Sequence, residues 1–376
     1  MSIPFEMRSL LISAVCCLAV ACVGSRAIAD TATAPDEKKV HILATGGTIA
    51  GSAAQAKAKG TYKVGVVSVE QLVDSVPELA EIAELQASQV ANIASQDMTH
   101  TVWLKLAQQI AVIRKANPQA GVVITHGTDT LEETAFFLDL LFPAGAPIVV
   151  TGSMRPSDAP GADGPANLKD AVSLAASANA HDRGVLVVLN SRIYNARNIT
   201  KSHTENVVSF QADDSGIAGE FVLDEPVFFQ QPRSATLPDV DVSEIKLLPR
   251  VDIVPAYATS DAKLVQAALS LGPSAIVIQG VGNGNVSAPM REAMSAASEQ
   301  GIRVIRASRV VDGVVSRNVE INDDANNYIA SLDLSPHKAR ILAQLVIALD
   351  AGVGAAALQS AFTCDAPLVT EMCRSR

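Results

Sequence analysis

Apolar positions change their period several times along the chain, and the changes outline alternating strands and helices. Residues 40–44 are almost continuously apolar and stop at Thr45-Gly46-Gly47-Thr48, which predicts a buried strand running into a glycine turn. Residues 52–62 are small and polar without apolar period, which predicts a loop, and its place beside Thr48 makes it a candidate lid over a site. Residues 69–76 read as a short helix and connector, and 89–93 as a strand ending in Ser95-Gln96-Asp97-Met98. Trp103, Leu106, Ala107, Ile110 and Ala111 then recur at helical spacing. Residues 121–125 form a β-branched run into His126-Gly127-Thr128-Asp129-Thr130, a second strand-to-glycine turn, and Thr130 with Glu133 has capping-box spacing for the next helix. Residues 147–151 and 184–189 predict further strands, with a helix opening at Asp163-Gly164-Pro165 between them.

Alternating strands and helices imply right-handed βαβ units and a parallel sheet. Residues 231–249, rich in Pro, Asp and Ser, read as a linker. Beyond it the pattern resumes, with strands expected at 251–255, 275–278 and 304–307 and helices at 261–271, 289–300 and 336–349. The expected fold class is α/β: a larger N-terminal flavodoxin-like domain (38–230) with a mainly parallel sheet, and a smaller C-terminal α/β domain (250–363). Residues 364–376 are a C-terminal extension.

The first 29 residues stand outside this pattern. Arg8 supplies a positive start, residues 10–23 are apolar but short for a bilayer span, and Ala27-Ile28-Ala29 is a cleavage signal. A signal peptide and export to the periplasm are expected. Of the five cysteines, Cys16, Cys17 and Cys22 leave with that segment, and Cys364 and Cys373 remain near the end, close enough to close one small loop. They suggest no metal site, and no histidines show metal-ligand spacing, so no metal or cofactor is expected. At 376 residues, 48% hydrophobic and 18% charged, the chain can build sizeable cores. A net charge of −10 without any basic run, and 4% aromatic residues, argue against a nucleic-acid partner. No membrane partner is expected of the mature chain.

Several strand ends carry chemistry: Thr48, Ser95, Thr128 and Asp129, with Lys201 in the segment beyond the fifth strand. A threonine hydroxyl attacks only once a base takes its proton, a lysine stripped of water can be that base, and a carboxylate can orient the lysine. Gly46-Gly47-x-x-x-Gly51 lacks dinucleotide-binding spacing, which disfavours an oxidoreductase.

Ala44-Thr45-Gly46-Gly47-Thr48-Ile49-Ala50-Gly51 and Ile124-Thr125-His126-Gly127-Thr128-Asp129-Thr130 together resemble the two signature motifs of bacterial L-asparaginases of the exported type, which includes the glutaminase-asparaginases. Ser95-Gln96-Asp97-Met98, Met154-Arg155-Pro156, Ala162-Asp163-Gly164-Pro165, Ile199-Thr200-Lys201 and Gly282-Asn283-Gly284-Asn285 follow in the expected order. The resemblance implies hydrolysis of L-asparagine to L-aspartate and ammonia, with some L-glutamine hydrolysis. Glutaminase-asparaginase activity with comparable or preferred use of L-glutamine, and a non-catalytic exported amino-acid-binding protein, are the alternatives. By the resemblance, Thr48 is the nucleophile, Tyr62 on the lid helps activate it, and Thr128, Asp129 and Lys201 form a second catalytic cluster; which threonine attacks first stays open. Ser95 and Gln96 would bind the substrate α-carboxylate and Asp129 its α-ammonium. Asn285 and Glu320 would act in the site of a neighbouring subunit of a homotetramer built as a dimer of dimers. Ser153 and Ser287 match the glutaminase-leaning members, whereas Asn285 matches those that favour asparagine. The cysteine pair that some members carry in the first domain is missing.

Overall fold

The opening apolar run forms strand β1 (Lys39–Gly46), flanked by β2 (Glu84–Ile93) and β3 (Gly121–Thr125), both parallel to it. In the computed structural model of the protein, the described residues are 38–54, 63, 65–232 and 239–364, all within one unit, Glu37–Arg376. The expected signal segment, Tyr62 with most of the expected lid, and Cys373 lie outside them. Cys364 is a disulfide cysteine.

Between β1 and β2 lie helices α1 (Val69–Asp74) and α2 (Leu79–Ile82), and α3 (His100–Ala116) connects β2 to β3. Helix α4 (Leu131–Leu141) leads to β4 (Ile148–Thr151), and α5 (Gly164–Ala175) to β5 (Val185–Leu189). The parallel part of the sheet has the order β2-β1-β3-β4-β5, the flavodoxin-like arrangement. Its inner strands, β1, β3, β4 and β5, are buried on both faces. Leu43, Val122 and Ile124 pack with α3 and α4, whereas Val40, Ile42 and Val123 pack with α1 and α5. That two-sided burial is why their sequences are continuous apolar runs rather than alternating ones.

The sheet then turns antiparallel through β6 (Arg192–Asn195), while β7 (Ile199–Lys201) and β8 (Phe210–Ala212) form a separate two-stranded ribbon. Strands β9 (Gly219–Val222) and β10 (Glu225–Phe228) complete the eight-stranded sheet. A second, four-stranded parallel sheet comprises β11 (Val251–Pro255), β12 (Ala275–Gly280), β13 (Arg303–Ser308) and β14 (Tyr328–Ala330). Helices α6 (Lys263–Ser270) and α7 (Ala288–Glu299) cover one of its faces. The short α8 (Asp323–Asn326) precedes β14, and α9 (Pro336–Leu349) and α10 (Ala355–Phe362) share one continuous apolar core with α3 and α4. Arg340 on α9 pairs with Glu133 on α4 at 2.9 Å.

The structure departs from the sequence pattern in places. Strand β2 begins at Glu84, five residues before the expected start, because its first half lies along an exposed sheet edge and shows no apolar signature. Strands β6 to β10 and β14 are too short or too polar to register as runs. The capping box expected at Thr130 and Glu133 is not formed: Thr130 donates its hydroxyl to the Ser95 carbonyl (2.7 Å), and Glu133 is held by Arg340. Within the expected linker, Val242, Ile245 and Leu248 are buried in the shared core.

Candidate active site

In the order β2-β1-β3, the chain leaves β1 toward one neighbour and returns to the other side. The crevice beyond the carboxyl ends of β1 and β3 is the switch point at which such sheets bind ligands. Both glycine turns lie there. Gly47 adopts φ +82, and a Cβ on it would lie 2.4 Å from the Gly127 backbone; a Cβ on Gly127 would lie 2.8 Å from Ser95 Oγ. Three loops thus meet at a closeness only glycine permits. Thr45 Oγ1 donates to the Thr125 carbonyl at 2.9 Å and ties the two strand ends together. Thr48 and Thr128, each the residue after its glycine, are 7% and 6% exposed and face one cavity.

The Thr128 turn is held from beneath by His126, which is fully buried. His126 Nδ1 lies 2.7 Å from the Gly127 carbonyl, which can only accept, so Nδ1 carries the proton. Nε2 then accepts from the Thr134 hydroxyl (2.8 Å), whose oxygen accepts from Trp103 Nε1 (2.8 Å). Every donor in this chain has an acceptor. Burial pushes the imidazole down to about 4, partly opposed by its bond to the Gly127 carbonyl, so the ring is neutral near pH 7.

Lys201, at the end of β7, reaches into the same place. Its Nζ lies 2.9 Å from Thr128 Oγ1 and 2.6 Å from Asp129 Oδ1. The Asp129 amide donates to Ser95 Oγ at 3.1 Å. Thr48, Ser95, Gln96, Thr128, Asp129 and Lys201 line a cavity of about 230 Å³. That is smaller than the roughly 300–1,000 Å³ of pockets for drug-sized ligands, and suits a small substrate. Beside it, Asp158 accepts from the Ser52 hydroxyl (2.6 Å) and the Ala53 and Ala54 amides (2.6 and 2.9 Å), and these bonds, Ser52 first, hold its carboxyl down at about 2. The segment leading toward Tyr62 is anchored there. Asn285 and Glu320 stand apart from this cavity: they hydrogen-bond each other on loops following β12 and β13 and are not among its lining residues. Ser153 donates to the Arg155 carbonyl and Ser287 to the Ser260 carbonyl, so both hydroxyls are engaged with backbone.

An asparaginase N-terminal family model matches residues 39–279, and a glutaminase/asparaginase C-terminal domain model matches 250–362. The chain belongs to the asparaginase family. It is 41% identical over 318 residues, 84% of this chain and 90% of the other, to a probable periplasmic L-asparaginase of Haemophilus influenzae. It is 40% identical over 311 residues, 82% and 86% of the two chains, to a glutaminase-asparaginase of Pseudomonas fluorescens. A crystal structure of a probable cytoplasmic L-asparaginase from Campylobacter jejuni superposes with a TM-score of 0.78 at 35% identity, covering 87% of this chain and 99% of that one.

As an asparaginase-family amidohydrolase, the chain needs a nucleophile, a base and donors for an oxyanion. The cavity holds two hydroxyls, an amine bonded to one of them, and the backbone of two glycine turns. Sequence reasoning passed over His126, Glu132 and Lys338. Glu132 Oε2 accepts the Lys201 amide and Lys338 is 3% exposed. Lys338 had a signal: it shares the helical face of Leu342 and Leu345, both fully buried, so the α9 apolar phase points it inward.

Proposed function

We propose that this enzyme hydrolyses L-asparagine to L-aspartate and ammonia, and L-glutamine to a lesser extent. The observation carrying this reading is Lys201 Nζ bonded to both Thr128 Oγ1 and Asp129 Oδ1 in the cavity that Thr48 also lines. Thr48 attacks the side-chain amide carbon. Its proton passes to a base of the cluster and on to the departing nitrogen, which leaves as ammonia; water then cleaves the acyl ester. Backbone N–H groups of the glycine turns stabilise the oxyanion. Ser95 and Gln96 bind the α-carboxylate, Asp129 binds the α-ammonium, and Tyr62 assists Thr48.

Asn285 and Glu320 serve the site of a second copy in a homotetramer built as a dimer of dimers. What supports this is their absence from the lining of the cavity of their own chain and the exposed Val310, Val311, Val314 and Val319 on the loop that carries Glu320. Export to the periplasm is supported by the leader at residues 1–29 and by the relative named periplasmic.

Ammonia release from asparagine and glutamine, measured side by side on the mature enzyme, tests the reading. Asparagine should give the higher kcat/KM. Thr48→Ala should lose turnover by about 10³-fold or more while keeping its circular dichroism spectrum; near-normal activity in that variant refutes the assignment. Comparable or faster glutamine turnover would favour the glutaminase-asparaginase reading, for which a relative carries the name.

A further inference from the structure

Strand β7, which delivers Lys201, pairs among the described residues only with β8. Alternate residues of an antiparallel strand direct their backbone groups toward the partner and away from it. Asn198 accepts from the Asp213 amide and Ser202 donates to the Ser209 carbonyl, so the even-numbered residues face β8. Arg197, Ile199 and Lys201 therefore present their backbone on the open edge. Among the described residues no third strand meets them. Lys338 Nζ, from the first turn of α9, lies 2.7 Å from the Arg197 carbonyl and 2.6 Å from the Ile199 carbonyl, and Glu132 Oε2, from α4, accepts the Lys201 amide. The Arg197 side chain reinforces the tie through a bidentate pair with Asp333, just ahead of α9 (2.7 and 2.8 Å).

We propose that Lys338 is a positioning residue for the reaction: one buried ammonium, shared between two carbonyls on the open edge of β7 where Glu132 accepts the Lys201 amide, sets the reach of Lys201 toward Thr128. The inference rests on the reading that Lys201 acts at Thr128. The charges facing Lys338 are Glu132 and Asp139 from α4, Asp213 beyond β8, and Arg197. Burial lowers Lys338 to about 8, opposed chiefly by Glu132 and Asp213, so it remains largely charged near pH 7. A small displacement of a reacting group costs turnover more than binding. Glu132 and Lys338 are absent from the lining of the Thr48 cavity, so substrate contacts are left in place.

Steady-state kinetics of Lys338→Met and Lys338→Arg with asparagine, beside their melting temperatures, test this. In folded Lys338→Met, kcat should fall by about tenfold or more while KM stays within about threefold. Lys338→Arg keeps the charge, but puts a longer, planar guanidinium where the compact ammonium is buried between the Arg197 and Ile199 carbonyls, so kcat should fall with the same split. Should Lys338→Met not fold, Lys338→Arg decides alone. Unchanged kcat in either folded variant, or a rise in KM at constant kcat, overturns the proposal. Lys201→Met is the control: normal turnover there would overturn the functional reading itself, whereas loss there with normal turnover in the Lys338 variants overturns only the positioning role.

Discussion

Gly47 shows how much a single residue can decide in this site. Its φ of +82 lies in the left-handed region, and its Cα is packed against the Gly127 backbone. Gly47→Ala would face both backbone strain and a hard contact with main-chain atoms. We expect a loss of about 2 kcal/mol or more in stability, and a larger proportional loss of activity, because Thr48 and Thr128 would be pushed apart. Urea unfolding and asparagine turnover on the same preparation check both. This turn was legible in the sequence because Gly46-Gly47-Thr48 recurs in kind at Gly127-Thr128, and the two motifs together are specific where either alone is not. Lys338 was far less legible: a lysine in an amphipathic helix reads as a solvated face, and only the phase of α9 betrays that it points inward.

At the scale of the element, the strand ends are held by polar groups that the hydrophobic pattern does not record. The neutral His126 chain under the Thr128 turn makes stability pH-dependent. The native ring titrates near 4 and the unfolded ring near 6.5, so between these values the unfolded chain binds a proton that the native one refuses. Stability is therefore lost as pH falls from about 6.5 through about 4, by about 2 kcal/mol between pH 7 and pH 5 from this residue alone. Urea midpoints at the two pH values should draw closer in His126→Gln than in the parent, and equal drops would contradict the assignment. The long central elements announced themselves through continuous apolar runs, and 336–349 was placed to the residue. The first half of β2 and the short strands β6 to β10 did not, because an exposed edge or a ribbon of three or four residues leaves little periodicity. Lys201 sits on one of these short strands: the family resemblance names it as a site residue, whereas the strand pairing that carries it to Thr128 shows only in the fold, where β7 lies beside α4.

At the scale of the whole molecule, Asn285 and Glu320 pose the remaining problem. Arg306, 1% exposed on β13, is bonded to Asp323 through two nitrogens at 2.6 and 2.8 Å and donates to the Asn283 and Ser316 carbonyls. One buried guanidinium therefore holds the loop bearing Asn285 and the loop leading to Glu320 in a fixed relation. Breaking such a pair from one side leaves an uncompensated buried charge. So fixed a presentation of two side chains that do not line their own cavity fits the proposed delivery to a neighbouring copy. Glu320→Ala should lower turnover strongly, and Thr48→Ala should abolish it. In an oligomer assembled from both variants, some sites would combine an intact Thr48 from one subunit with an intact Glu320 from the other. Activity above that of either parent, after unfolding and reassembly of the mixture, is the expected outcome. An oligomer shown by mass to contain both chains, yet no more active than its parents, would place Glu320 outside the shared site.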